Sequence, residues 1–208
     1  MFNQMKAEYF HRIDETDDAI FYGQPRLVKH IDDSACVALT NYFRMVLPAD
    51  SDLLDLMSSC FSHLPEELSY KSVTGLGMNK VELDGNPQLT SRVVHNLTND
   101  PTLPFDDHTF DGCVVTVSVQ YLVNPVVVFQ EIGRVLRPRS PCIISFSNRC
   151  FPTKAVAVWH NLDDQDRAKL VGHYFVVSKK FGPYEVLNIS PKHDKTDPLF
   201  VVCAKTAP

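Results

Sequence analysis

The 208-residue chain contains no long apolar run, either internally or near its start. A membrane-spanning helix needs about 18 or more consecutive apolar residues, and no stretch approaches that length. Residues 1–11 also lack the continuous apolar region of a secretory signal. We therefore expect a cytoplasmic or otherwise intracellular protein with no membrane partner.

Positive charge is also scarce, since 20 lysines and arginines stand against 25 aspartates and glutamates, for a formal net charge of -5. Proteins that bind nucleic acids usually carry a basic patch that neutralises phosphates, so we expect no nucleic-acid partner. The six cysteines include no C-x-x-C pair and no metal-ligand spacing with the histidines. The sequence thus predicts free thiols and no metal site.

The composition is that of an ordinary globular protein, with 44% hydrophobic and 22% charged residues. Apolar segments of strand length alternate with helical patterns, which is typical of right-handed βαβ units and a parallel sheet. We predict an N-terminal arm or lid over residues 1–33 and a single Rossmann-like domain over residues 34–208. The predicted strands are residues 52–57, 72–77, 92–97, 111–119, 141–146, 184–189 and 199–204.

Three helices have recognisable starts. Ser34 is the predicted cap of a helix that ends before Pro48, and Asn161 is the predicted cap of a helix near the C-terminus. Asn124 is the predicted cap of a helix whose first residue is Pro125, and its apolar residues follow a 3.6-residue period. These helices are expected to cover the two faces of the sheet.

Two motifs carry a family resemblance. LPFDDHTFD, residues 103–111, leads into the fourth predicted strand, and EIGRVLRP, residues 131–138, ends the helix that follows. Over roughly residues 50–205 the chain resembles the class I S-adenosylmethionine (SAM) dependent methyltransferases of the broad type 11 group, which carry LPF-x-D-x-x-FD and E-I-x-R-V-L-x-P at these places. The resemblance implies an α/β, doubly wound, mostly parallel seven-stranded sheet that ends in an antiparallel hairpin. It also implies SAM as the cofactor, bound beyond the carboxyl ends of the strands.

The turn after the first strand departs from this family. The usual D-x-G-x-G-x-G turn lets the backbone approach the methionine part of SAM. Asp55 is retained here, whereas Met57, Ser59 and Phe61 occupy the three glycine positions. The serine hydroxyls of residues 58–62 are expected to bind the cofactor carboxylate. The alternative is a tight polar turn without a ligand, with Asp55 as a strand-end cap.

The next two cofactor positions are altered as well. Gly77 stands where the family carries the acid that binds the ribose hydroxyls, and Asn79 and Glu82 are the nearest polar substitutes. After the third strand, Asn96 or Asp100 is the expected adenine contact, with turn capping as the alternative. The cofactor contacts that the resemblance implies are Asp55, Met57, Ser58, Ser59, Gly77, Met78, Asn79, Asn96, Leu97, Asp100 and Ser118.

The candidate catalytic residues are Tyr121 and His30. Gln120 and Tyr121 replace two histidines that many relatives carry after strand four. The unperturbed pKa of tyrosine is about 10, so positioning is the expected role of Tyr121 rather than proton abstraction. His30 is suited by place to acid-base work, with a structural role as the alternative. The expected substrate contacts are Gln120, Asn148, Arg149 and Lys154.

Together these features predict a SAM-dependent methyltransferase that transfers a methyl group to an unidentified small molecule by in-line displacement. One alternative is a catalytically silent, methyltransferase-like protein that serves in binding or regulation, since the glycine and ribose signatures are altered. A nucleotide-dependent oxidoreductase on the same architecture is disfavoured because no G-x-G-x-x-G follows the first strand. The oligomeric state stays open.

Overall fold

The computed structural model describes residues 6–192 and 195–208. Residues 1–5 of the predicted arm lie outside the described residues, as do residues 193–194 of the loop that joins the last two predicted strands. The division into an arm and a domain at residue 33 stays a prediction.

The predicted sheet is confirmed. The described residues form one seven-stranded sheet in the order β3-β2-β1-β4-β5-β7-β6. Strands β1 to β5 pair in parallel, and β7 runs antiparallel to both β5 and β6. The strands are β1 (Asp52–Leu56), β2 (Ser72–Gly77), β3 (Ser91–Val94), β4 (Gly112–Thr116), β5 (Pro141–Phe146), β6 (Glu185–Asn188) and β7 (Phe200–Lys205).

The strands β3 and β4 end three residues earlier than predicted, for local reasons. β3 ends at Val94 because the Asn96 side chain accepts a hydrogen bond from the Thr98 amide, 2.9 Å away, and so caps a turn. β4 ends at Thr116 because Val117 has a positive φ of 45°, which is incompatible with an extended strand. Both interruptions release the chain at the edge where a ligand is expected.

Helices cover both faces of the sheet. The helix α2 packs on one face with Leu53, Val73 and Val114, whereas α4 and α6 pack on the other face with Leu54 and Val115. Among the described residues, no helix combines the length and apolar character needed to cross a membrane. The helices are α1 (Asp18–Phe21), α2 (Asp33–Val46), α3 (Lys80–Asp84), α4 (Pro125–Val135), α5 (Ala157–His160) and α6 (Asp164–Ser178), with 3-10 turns at Ala7–Phe10 and Val119–Tyr121.

Two predicted helix caps are wrong and one is confirmed. Asp32, not Ser34, caps α2, and its carboxylate accepts a hydrogen bond from the Ala35 amide at 2.8 Å. Asp163, not Asn161, caps α6. In both cases an aspartate near the predicted residue takes the cap, because its carboxylate is a strong acceptor for the free amides of the first turn. Asn124 does precede α4, although its side chain makes no capping hydrogen bond.

The connection between β1 and β2 contains no helix. Residues 57–71 are irregular throughout, and the next crossover holds only the five-residue α3. A doubly wound fold usually places a helix after its first strand, with free amides pointing at the ligand. The site must therefore be built without that helix N-terminus.

Candidate active site

A cavity of about 340 Å³ lies beyond the carboxyl ends of β1, β2 and β4. Because β1 is flanked by β2 on one side and β4 on the other, this is the switch point of the sheet, where open α/β folds bind ligands. Arm residues between 18 and 30 and residues 149–151 after β5 complete the lining. The arm is therefore part of the site.

Met57, at the first glycine position of the family turn, has a backbone conformation that favours glycine. Its φ is 59°, in the left-handed region, which costs a residue with a side chain roughly 1–2 kcal/mol. The next amide, on Ser58, donates a 2.8 Å hydrogen bond to the Leu76 carbonyl of β2. The turn thus retains its tight path, and the Met57 side chain is held at the cavity wall.

The serine hydroxyls of this turn donate to protein carboxylates. Ser58 and Ser62 each donate to the same oxygen of Asp55, at 2.6 Å, and Ser59 donates to Glu82 at 2.7 Å. A hydroxyl has a single proton to donate. In this structure the hydroxyl protons are therefore already used in bonds to Asp55 and Glu82. They are not available for the predicted bonds to a cofactor carboxylate.

Asp55 is the buried acid at the centre of the turn. Burial raises its pKa to about 6, and the hydrogen bonds from Ser58 and Ser62 act in the opposite direction. Both Asp55 and Glu82 line the cavity, and among the described residues neither forms an ion pair with a lysine or arginine. Glu82 instead accepts bonds from Ser59 and from the Arg26 amide.

Gly77, at the place of the ribose acid, has no room for a side chain. A Cβ atom there would lie 2.2 Å from the Ser58 carbonyl oxygen. The neighbouring candidate, Asn79, caps α3 with its side-chain oxygen and donates its amide to the Tyr22 carbonyl at 2.8 Å. The close approach of the turn to β2 thus excludes a carboxylate at residue 77, and Asn79 is committed to structure.

On the expected adenine side, Met78, Asn96 and Leu97 line the cavity. Asn96 is also the turn cap described above. Asp100 lies outside the lining, and its carboxylate accepts a bond from the Thr102 amide at 2.9 Å. The structure therefore brings an apolar pair and one amide side chain to this wall, but not Asp100.

Two hydroxyls at the end of β4 have no hydrogen-bond partner in the described part of the chain. Thr116 Oγ1 and Ser118 Oγ are both buried, and both residues line the cavity. Buried polar atoms are normally paired, and a polar ligand at this wall would satisfy both hydroxyls. Between them, Val117 holds a strained conformation of the kind that clusters at functional sites. Ser118 was predicted and Thr116 was not, since the positive φ that ends β4 has no sequence signal at a valine.

The two catalytic candidates meet at Phe151. The Phe151 amide donates to the Tyr121 hydroxyl at 2.8 Å, and the two rings stack. Burial raises the pKa of Tyr121 to about 12. The His30 ring packs edge-on against Phe151, and burial lowers its pKa. Tyr121 therefore stays protonated at neutral pH, and His30 stays neutral.

The predicted substrate residues separate in the structure. Arg149 lines the cavity and pairs with Asp197 at 2.8 Å, whereas Asn148 is exposed outside the lining. Gln120 is fully buried, and its amide donates to the Val117 carbonyl. Lys154 is also fully buried, away from the cavity lining. Of these four residues, the structure brings only Arg149 to the cavity.

Lys154 fixes the arm instead. Its ammonium lies 3.0 Å from Asp18 and donates to the Thr16 carbonyl at 2.7 Å. Asp18 also accepts bonds from Arg12 at 2.8 Å and from Thr98 at 2.6 Å. Burial would raise the pKa of Asp18, but the bonds from its partners lower it on balance. This buried network ties the arm to the segments after β3 and β5, and a sequence motif could not have revealed it.

The strand order, with the cavity at its switch point, matches the Rossmann-like fold of class I methyltransferases. More particularly, residues 58–144 match the model of the methyltransferase domain of type 11, so the resemblance seen in the sequence is confirmed. The matched segment is less than half of the chain and begins just after Met57.

Solved structures share the fold. One is from the complex of the Trm112 methyltransferase activator of Haloferax volcanii with a protein assigned as a methyltransferase, at a TM-score of 0.61 and 12% identity over 85% of this chain and 92% of that one. The 4+2 cyclase SpnF gives a TM-score of 0.57 at 12% identity, over 81% of this chain and 80% of its own. At these identities the likeness concerns the fold alone.

A curated relative matches a short segment. The biotin biosynthesis bifunctional protein BioHC of Teredinibacter turnerae is 46% identical over 37 residues, which are 18% of this chain and 6% of that protein. The match thus spans a small part of that relative's length, and its activity does not carry over to this chain.

Proposed function

We propose that this chain is a SAM-dependent methyltransferase that acts on a small-molecule acceptor by in-line displacement. The observation that carries the proposal is the cavity itself. Most of the residues at the family's cofactor positions line it, and so do Thr116 and Ser118, whose buried hydroxyls are unpaired. An unpaired buried hydroxyl costs free energy unless a ligand satisfies it. A cavity kept only for packing would gain nothing from such groups.

The residues present fit SAM. Met78 and Leu97 offer apolar surface for the adenine ring, and Thr116 and Ser118 offer hydroxyl groups for its polar parts. Asp55 is a carboxylate without a cationic partner, suited to the positive charges of the cofactor. We place the cofactor at these five residues and Asn96.

The chain's own part in the reaction is orientation and exclusion of water. Bound SAM supplies a methyl group that is attached to a positively charged sulfur, and in-line attack by the acceptor transfers this methyl group. Tyr121, neutral and bonded to the Phe151 amide, positions the acceptor. His30 is neutral at pH 7 and accepts a proton where the acceptor must lose one.

A small molecule is the proposed acceptor because arm residues line the cavity, which is about 340 Å³ in volume, and the chain is acidic overall. We place the activity in the cytoplasm, since all six cysteines are free thiols, as is usual in a reducing compartment.

The test is transfer of label from methyl-labelled SAM to a pool of small metabolites, separated from macromolecules by filtration. We expect labelled small molecules with the wild type and none with Ser118→Leu, whose side chain fills the cavity, after circular dichroism has shown that this variant is folded. Saturable SAM binding without any transfer would favour the silent binding or regulatory protein. Label found in protein or nucleic acid would overturn the choice of acceptor.

A further inference from the structure

The altered turn leaves an anionic ligand without its usual donors. The helix that would follow β1 is absent from residues 57–71, and the serine hydroxyls there donate to Asp55 and Glu82. The methionine part of SAM carries a carboxylate, which needs hydrogen-bond donors when it leaves water. A cationic side chain at this end of the cavity would provide charged donors.

Arg26 is anchored directly beside this turn. Its amide donates to Glu82 at 2.7 Å, and its carbonyl accepts a bond from the Cys60 thiol at 3.6 Å. Glu82 in turn holds Ser59. The backbone of Arg26 is thus tied to both α3 and the altered turn, and its side chain lines the cavity.

The guanidinium group of Arg26 is already oriented. It lies 4.5 Å from the ring centre of Phe21 and 5.0 Å from that of Phe151. Two of its bonds go to backbone carbonyls, of Phe21 at 3.0 Å and Gln24 at 3.2 Å. Since a guanidinium has five N–H donors, others remain for a ligand.

Arg26 also lacks an anionic partner, unlike the other lysine and arginine of the lining. Lys29 pairs with Asp33 at 2.7 Å, and Arg149 pairs with Asp197 at 2.8 Å. In the part of the chain that the structure describes, no carboxylate lies within ion-pair distance of the Arg26 guanidinium. A planar, preoriented cation without a partner is a good carboxylate receptor.

We propose that Arg26 binds the carboxylate of the methionine part of SAM and so replaces the donors of the missing glycine turn. This inference rests on the proposed function and adds to it a cofactor-binding residue outside the family motif. The arm then contributes both part of the cavity lining and the group that binds the charged end of the cofactor.

The test compares two ligands by calorimetric titration of the full chain. S-adenosylhomocysteine keeps the carboxylate, whereas 5′-methylthioadenosine lacks the amino-acid part. Charged hydrogen bonds contribute about 1.5–3 kcal/mol, so Arg26→Gln should bind S-adenosylhomocysteine about 10- to 100-fold more weakly. Its affinity for 5′-methylthioadenosine should match that of the wild type. Arg26→Lys, which keeps the charge, should bind S-adenosylhomocysteine with intermediate affinity.

The matched control is Arg92→Gln. Arg92 likewise donates to two backbone carbonyls, of Leu83 and Asn86, but lies outside the cavity lining. The Arg92→Gln variant should bind both ligands with the affinities of the wild type. If Arg26→Gln lost affinity equally for both ligands, or for neither, the proposed role of Arg26 would be overturned. The proposed function would not be affected by that result. Failure of the folded wild type to bind S-adenosylhomocysteine would overturn the proposed function as well.

Discussion

At the scale of single residues, Asp55 is the buried acid of the site whose raised pKa makes stability depend on pH. It is fully buried, and its pKa of about 6 in the fold lies above the ordinary value of about 3.9. An acid with a raised pKa contributes stability that is fully present below its unfolded pKa. That contribution is lost as the pH rises through the folded pKa.

The corresponding prediction concerns Asp55→Asn, which keeps an oxygen acceptor for the Ser58 and Ser62 hydroxyls. Relative to this variant, the wild type should lose roughly 2–3 kcal/mol of unfolding free energy between about pH 4 and pH 6, and no more above it. Urea titrations of both proteins across this range measure the difference. Burial lowers the pKa of His63 to about 4, but His63 is present in both proteins and its effect cancels. A difference that is independent of pH would contradict the burial of a titrating acid.

A second prediction at this scale concerns Gly77. Gly77→Ala should lower the free energy of unfolding by about 1–3 kcal/mol, because its Cβ would lie 2.2 Å from the Ser58 carbonyl oxygen. Gly182→Ala is the matched control, since the nearest atom to a Cβ there is 3.8 Å away. If the two variants were equally stable, the turn would not lie against β2 as described. The family's ribose acid cannot simply be restored at this position, for the same steric reason.

At the scale of elements, the arm depends on the buried charge network around Lys154. Lys154→Met removes one member and leaves Asp18 with Arg12 as its nearest cation. Breaking a buried pair costs about 3–5 kcal/mol, and the remaining pair favours the lower end of that range. Denaturant unfolding should show the loss, and amide hydrogen exchange should be faster in the arm.

The control for this prediction is Lys169→Met. Lys169 is 62% exposed and pairs with Asp166 at 2.7 Å, so its loss should cost well under about 1 kcal/mol. If Lys154→Met were no more destabilising than this control, the network would not hold the arm.

The strands and helices also show which parts of the fold could be predicted from the sequence. All seven strands could be predicted. In β1, β2, β4 and β5 the signal is the continuous apolar segment of a parallel strand covered on both faces. Ser34 was preferred to Asp32 as a helix cap because both residue types suit the position and the local pattern does not separate them. The sequence did not determine whether residues 57–71 form a helix, since the family pattern was applied only to the turn after β1.

The sequence predicted the cavity residues that lie near strand ends. It did not predict those that the arm contributes through long-range contacts. Asp55 lies near the carboxyl end of β1, and Leu97 and Ser118 come just after β3 and β4, so topology brings them to one edge. Arg26 comes to the same cavity through long-range bonds to Glu82 and Cys60, which no local motif encodes. Lys154 was expected at the substrate but is buried in ion pairs, because an isolated lysine in a sequence does not show its partner.

At the scale of the whole molecule, the fold provides a location for chemistry without fixing the reaction. The same architecture is found in the 4+2 cyclase SpnF as well as in methyltransferase structures. The function of this chain therefore depends on whether its cavity accepts SAM although three turn glycines are replaced and residue 77 bears no acid.

The most direct measurement is calorimetric titration of the full chain with SAM and with S-adenosylhomocysteine, each repeated on the cavity-filling variant Ser118→Leu. We predict saturable binding of both ligands at micromolar concentrations by the wild type, and loss of both in the folded variant. The absence of heat for either ligand, from wild-type protein shown to be folded, would contradict the central claim.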